Sequence, residues 1–268
     1  MLQSLPVEVG GFSLHFYYPK LINRLQLLYE LELYALSEYL PLVSPHFYRV
    51  FKLASPFFQA KYIIGRALDD GTPSLSNIYT KALRYPICSH LVLEAIQSHL
   101  KTLRLIPEDL SIQLPRRLFR ALEPHTTEWS DDDHPLPLLR FLYQTPEMPT
   151  VNTNANEGYA LTRAVHAKFT PLVRFLLAHR ASPKCHDSLA VKVAIRQRNI
   201  DMVKLLVERS NAKKGKANAK RRKLEDRVTL DSSLLKIAVM SGAKDIVEYL
   251  YREKSVLPDM QTLKKMEF

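Results

Sequence analysis

Two clusters in this 268-residue chain hold side chains of the kinds that do chemistry. Asp131, Asp132, Asp133 and His134 could ligate a metal ion, and Cys185 beside His186 sets a thiol next to a base. Neither spacing suits the task. Four adjacent residues in a loop rarely present a closed coordination shell, and no second cluster at ligand spacing accompanies them. The first cluster therefore reads as a solvated acidic turn. Neighbouring loop side chains seldom form a nucleophile and base pair, and the sequence names no third group to orient them. The chain also lacks G-x-S-x-G, H-E-x-x-H, a C-x-x-C pair and a phosphate-cradling glycine loop. We expect no catalytic residue, no cofactor and no metal, and hence not an enzyme.

Composition bounds what else the chain can be. With 46% apolar residues it can bury a sizeable core, while two cysteines and no Asn-x-Ser/Thr acceptor argue against a disulfide-stapled secreted domain. No leader-like segment opens the chain, and no stretch approaches eighteen uninterrupted apolar residues, so no membrane partner is expected and the protein should be intracellular, cytoplasmic or nuclear. The net charge of +11 is concentrated: residues 211–227, NAKKGKANAKRRKLEDR, hold eight bases and two acids. A chain that follows a phosphate backbone spreads its cations along a face, so this single basic loop argues against nucleic acid as the partner. Lys213, Lys214, Lys220, Arg221, Arg222 and Lys223 resemble a bipartite nuclear-import signal, with a solvated charge run as the alternative.

The elements that would carry any site repeat themselves. LTRAVHAKFTPLVRFLL (Leu161 to Leu177), VKVAIRQRNIDMVKLLV (Val191 to Val207) and LKIAVMSGAKDIVEYLY (Leu235 to Tyr251) share one pattern. An apolar residue and Ala stand at positions 1 and 4 (Leu161/Ala164, Val191/Ala194, Leu235/Ala238), followed by apolar pairs at 12 and 13 and at 15 and 16. Spacings of three and four predict a short helix with a narrow face, a turn, and a second helix with a broader face. The alanines lie 30 and then 44 residues apart, and removing the basic insertion Asn211 to Leu224 restores the period. PLLRFLY (Pro137 to Tyr143) and VLEAIQSHL (Val92 to Leu100) are fainter second helices, with first-helix candidates at Ile78 to Ile87 and Arg116 to Pro124.

A period near 33 with these features resembles the ankyrin repeat, in degenerate form. The resemblance implies an ankyrin-like helix-turn-helix solenoid over 75–256, with a protein partner on the repeat surface and 257–268 as a C-terminal tail. The first seventy residues differ. LVSPHFYRV (Leu42 to Val50) looks like the LVS-x-x-F-x-x-L segment of F-box domains, which dock on the adaptor subunit of cullin-type ubiquitin ligases. LPVEV (Leu5 to Val9) supplies the expected Leu-Pro-x-Glu opening, but residues 10–26 separate it from the helix it should begin. That segment is either a translated in-frame intron or a natural loop insertion.

The whole layout is similar to a class of fungal F-box/ankyrin proteins. It implies an all-α fold with an F-box-like helical module over 1–70, docking through Leu5, Pro6, Glu8, Leu42, Val43 and Phe47. The implied function is substrate recognition for a ubiquitin ligase. The Asp-Leu-Leu-like turn that F-boxes carry before the LVS segment is missing, which keeps open a second reading, a nuclear ankyrin-type scaffold or regulator without a ligase role.

Overall fold

The computed structural model describes residues 18–37, 39, 43–69, 78–102, 111–124, 128–146, 148–209 and 226–266. The chain is mostly helical and divides into two compact units, one built from residues 1–78 and 87–106, the other from 79–86 and 107–268.

The first unit contains α1 (Tyr18–Ala35), α2 (Pro45–Lys52), α3 (Pro56–Asp69) and α5 (His90–Thr102). Ser44 caps α2 by accepting the Phe47 amide at 3.3 Å, with Pro45 at the first helical position, where its missing N–H costs nothing. The core is a seam of small and branched side chains, with Ala60, Ile63, Val92, Leu93 and Ile96 wholly buried. Gly65 leaves room for the side chain of Leu36, just past the end of α1: a Cβ there would meet Leu36 Cδ2 at 2.9 Å. Two features differ from the sequence reading. Val92 to Leu100, read as a repeat's second helix, packs as α5 on α3 within the first unit. Residues 18–26, read as part of an insertion without apolar periodicity, are the first half of α1, which runs unbroken to Ala35.

In the second unit, three hairpins repeat one geometry: α8 (Ala155–His166) with α9 (Thr170–Ala178), α10 (Cys185–Arg196) with α11 (Ile200–Val207), and α12 (Ser232–Met240) with α13 (Lys244–Glu248), which continues as a π-helical turn, Tyr249–Glu253. The first helices pack side by side, as do the second. Each hairpin turns on one left-handed residue, Lys168, Arg198 or Gly242, at φ 57°, 53° and 64°. There the chain closes the helix end with the same bond: Phe169 N to Ala164 O at 2.9 Å, Asn199 N to Ala194 O at 3.2 Å, and Ala243 N to Ala238 O at 3.1 Å. The anchoring alanines are wholly buried, because a longer side chain would hold neighbouring first helices apart. Only Gly242 meets the left-handed turn without a Cβ penalty; Lys168 and Arg198 carry about 1 kcal/mol each.

Shorter elements precede and follow these hairpins: α4 (Ile78–Ala82), whose body belongs to this unit, α6 (Arg117–Arg120), α7 (Leu136–Gln144) and α14 (Met260–Met266). α14 lies in the stretch read as a tail and packs on α12. The all-α expectation has one local exception. β1 (Ser111–Gln113) pairs in parallel with β2 (Thr150–Asn152), Ile112 opposite Val151, where successive interhelical loops run alongside each other.

Short helices leave many carbonyls unpaired at their C-terminal ends, and side chains from the next element cover them. Arg117 Nη1 donates to Leu83 O and Tyr85 O, and Arg163 donates to the carbonyls of Phe119, Arg120 and Leu122. Gln197 Nε2 donates to His166 O at 2.7 Å, Trp129 Nε1 to Ala167 O at 2.8 Å, and Arg198 Nε to Ser241 O at 2.7 Å. In the first unit, Gln59 Nε2 donates to Phe51 O and Lys52 O, Tyr62 to Ser37 O, and Arg66 to Leu36 O.

Two outcomes follow from this packing. Arg163→Met strands three carbonyls in a half-buried setting and should destabilise the second unit by about 2 kcal/mol; denaturation followed through Trp129, the single tryptophan, reads it, and an unchanged midpoint refutes the role. Glu32 is 2% exposed, and burial raises its carboxyl from 4.5 to about 7, against the partial pull of Tyr62 and Arg66. The folded state holds this proton where the unfolded chain releases it, so the contribution of Glu32 to first-unit stability is fully present below about pH 4.5 and is lost as pH rises through about 7. Glu32→Gln should remove that slope, a gain of at most about 3 kcal/mol at pH 8, measured by amide exchange in α3.

Candidate functional site

The second unit presents its surface in rows set by the repeat. Positions 1 and 4 of each first helix are buried and position 5 is buried or half-buried; at positions 2 and 6, Arg196 and Met240 are exposed while Thr162, His166, Lys192 and Lys236 are half-buried. Spacing of four residues puts positions 2 and 6 on one helical face. Lys192 pairs with Asp187 of the same hairpin, holding that carboxyl below its usual range through a hydrogen bond and charge. Lys236 Nζ lies 3.3 Å from Gln261 Oε1. Arg196 is exposed, with no partner among the described residues.

At the N-terminal ends of these helices, the loops are tied across hairpins. Asn154 Oδ1 accepts the Ser182 amide at 2.7 Å while its Nδ2 donates to Arg180 O at 3.2 Å, and Thr153 Oγ1 donates to His179 O at 3.1 Å. Cys185 and His186 point to different neighbours. The Cys185 thiol lies 3.6 Å from Asn154 Oδ1, and His186 Nδ1 lies 2.7 Å from Glu157 Oε2 in open solvent. The imidazole thus has the third group that the sequence did not name, but it is turned to Glu157 and not to the sulfur. The acidic run is likewise committed to its own turn: Asp131 pairs with Arg140 at 2.7 Å, and Asp133 Oδ2 accepts the Ser130 amide at 2.6 Å. Burial, then the charge of Arg117, holds His134 below the usual imidazole range. Among the described residues, no group of three His, Cys, Asp or Glu side chains converges to hold a metal ion.

An open depression of about 620 Å³ lies between α9 and α11, lined by Arg174, Asp201, Lys204, Leu205, Glu208 and Arg209 among others. Its mixed, solvated charges suit surface ion pairs better than enclosed acid–base chemistry. Beside it, Lys254 Nζ lies 2.8 Å from Asp226 and 3.4 Å from Glu208, and the Tyr249 hydroxyl donates to Glu208 at 2.9 Å. Burial alone would lower the Lys254 ammonium pKa, but the two carboxylates outweigh it and raise it; burial and the same carboxylates raise the Tyr249 phenol. Arg227 N donates to Val207 O at 2.7 Å. These contacts pin together the two ends of the basic insertion.

The first unit carries a different surface. Leu27, Leu31 and Tyr34 recur at helical spacing on α1, and Tyr34 is 89% exposed. Tyr39, Val43, Tyr48 and Leu53, in and around α2, are exposed too. Of the residues expected to dock the adaptor, Val43 is exposed and Phe47 is half-buried, its ring centroid 6.1 Å from that of Phe51. Leu5, Pro6, Glu8 and Leu42 lie outside the described residues, as do Lys213, Lys214, Lys220, Arg221, Arg222 and Lys223 of the import-signal expectation. The α1 row escaped the sequence reading although its i, i+4, i+7 spacing was visible, because the same spacing marks a buried face. No helix among the described residues is long and apolar enough to cross a membrane. Compared with protein families, curated proteins and solved structures, the chain gives no match.

If the pinned ends make the insertion separable from the stack, replacing residues 210–225 by a short Gly-Ser turn should leave stability within about 1 kcal/mol, since each halving of loop length changes the closure cost by only about 0.6 kcal/mol. Thermal denaturation of the two forms checks this; a loss of several degrees would show that the insertion packs on the stack.

Proposed function

We propose that this chain is a protein-recognition module, an F-box-like head joined to ankyrin-like repeats, which selects a protein for a cullin-type ubiquitin ligase. The observation that carries recognition is the repeated hairpin, with its shared left-handed turn residue, helix-closing bond and buried alanine. Stacked copies of one unit present an extended surface whose outward positions vary freely while the buried ones cannot. The described geometry favours surface contacts over catalysis: mixed charges in an open depression, and titratable groups committed to local pairs. On this reading the protein is not an enzyme and takes no cofactor.

The link to a ligase rests on the head. Its support is an apolar row on α1 and exposed Val43, Tyr48 and Leu53, since large apolar side chains gathered on a surface mark a protein interface more often than chance. A second reading is a nuclear scaffold without a ligase role, favoured by the import-signal-like run Lys220 to Lys223 within an insertion whose ends are clamped by Lys254.

The two separate in one binding experiment. The full chain is mixed with the purified ligase adaptor subunit, beside a Leu31→Asp/Tyr34→Asp double variant. The ligase reading expects micromolar or tighter binding that the double variant weakens at least tenfold, at unchanged helix content. No binding by the parent chain removes the ligase and leaves the scaffold.

A further inference from the structure

Charge in the second unit is divided between its two helical layers. After the first turns of α8 and α10, the first-helix stretches and the turns that end them are Arg116–Leu122, Tyr159–Thr170, Leu189–Ile200 and Ser233–Ala243, and they hold three, two, three and one Lys or Arg residues and not one Asp or Glu. The second-helix stretches, Pro137–Thr145, Pro171–Arg180, Asp201–Arg209 and Asp245–Lys254, hold seven bases and five acids. In the linear chain these segments alternate. The fold gathers them, because α6 packs on α8, α8 on α10 and α10 on α12. Beyond Glu157 and Asp187, which stand in the first turns of α8 and α10, one layer therefore carries bases without acids.

Not all of these cations are available. Arg117, Arg163 and Arg198 are engaged with backbone carbonyls, and Lys192 with Asp187. Those engagements satisfy polar groups without cancelling the charge, apart from that of Lys192. The unspent positions are the outward ones. Arg120 and Arg196 are exposed with no partner among the described residues, and Lys236 is held only by the amide of Gln261 and by Asp259 at 3.9 Å. Beside Arg196, at the same position of the next helix, stands Met240, 67% exposed.

We infer that the first-helix layer binds an acidic, extended segment of a partner protein running across the helices, with two carboxylates about three residues apart and an apolar residue over Met240. The spacing comes from geometry. Packed helix axes lie about 8–10 Å apart, and an extended chain advances about 3.3 Å per residue, so one helix step matches about three residues. Carboxylates then meet Arg196 on α10 and Lys236 on α12. An apolar neighbour for Met240 is what favours protein over a nucleic acid strand, which would want exposed aromatic side chains for stacking; of the aromatics in these stretches, Phe119 and Phe169 are buried and Tyr159 is half-buried under Arg116. This inference rests on the protein-recognition reading above and names its partner's chemistry.

The test is selection of twelve-residue peptides from a random display library on the full-length chain, followed by fluorescence anisotropy with the selected peptides and with a single-stranded oligonucleotide of equal charge. We expect peptides with two acids about three residues apart. Their affinity should fall at least tenfold in Arg196→Glu and in Lys236→Glu, and hold within twofold in Arg174→Glu, which places the same change on a second helix. Selected peptides without acids, or equal binding when the acids are moved into one block, overturn the inference and leave recognition standing. No selected peptide, or tighter binding of the oligonucleotide, overturns both.

Discussion

The structure depends on how the carbonyl ends of very short helices are satisfied. A helix of eight or nine residues leaves nearly half of its carbonyls without an internal partner, and the layers bring those ends close to neighbouring elements where water alone cannot serve them. Arg163, Gln197, Arg198 and Trp129 close the gaps from adjacent segments. Each such bond is modest on its own, but removing one leaves a desolvated acceptor. The side chains that complete one hairpin therefore belong to another, and no hairpin is complete alone.

The same arrangement explains where unusual conformations sit. Lys168 and Arg198 hold the left-handed geometry that Gly242 adopts freely, and at Arg198 the side chain offsets that strain by donating to Ser241 O at 2.7 Å. A glycine at 198 would relax the turn and lose the link to the next hairpin. Cations concentrate at these helix ends for a related reason: a positive side chain there opposes the partial negative charge of the helix terminus. Repeated over four first helices, that local preference concentrates positive charge at the C-terminal ends of one layer. The stability of the stack and the character of its surface have a common origin.

The first unit solves its helix ends in the same way, through Gln59, Tyr62 and Arg66 on α3, yet leaves large apolar side chains on α1 and near α2 in contact with water. Burial of Glu32 in the same unit adds a carboxyl held near neutrality. Its stability and its apolar surface are both costs that a bound partner can offset, one by covering the surface and the other by favouring the folded state.

Periodicity alone determined that the chain is helical, that Ala164, Ala194 and Ala238 are equivalent, and that residues 211–224 interrupt the repeat, because buried faces of helices impose spacings of three and four wherever they occur. Periodicity could not tell a buried face from an exposed one, so the exposure of Leu27, Leu31 and Tyr34 was not legible. Nor could it say that Val92 to Leu100 packs on α3, since a second-helix pattern fits any apolar groove of the right width. Donors such as Arg163, and the gathering of alternating charges into one layer, were decided only by the tertiary structure: both depend on contacts some forty residues apart in the chain, and a hydrogen bond to a backbone carbonyl leaves no trace in the partner's side chain.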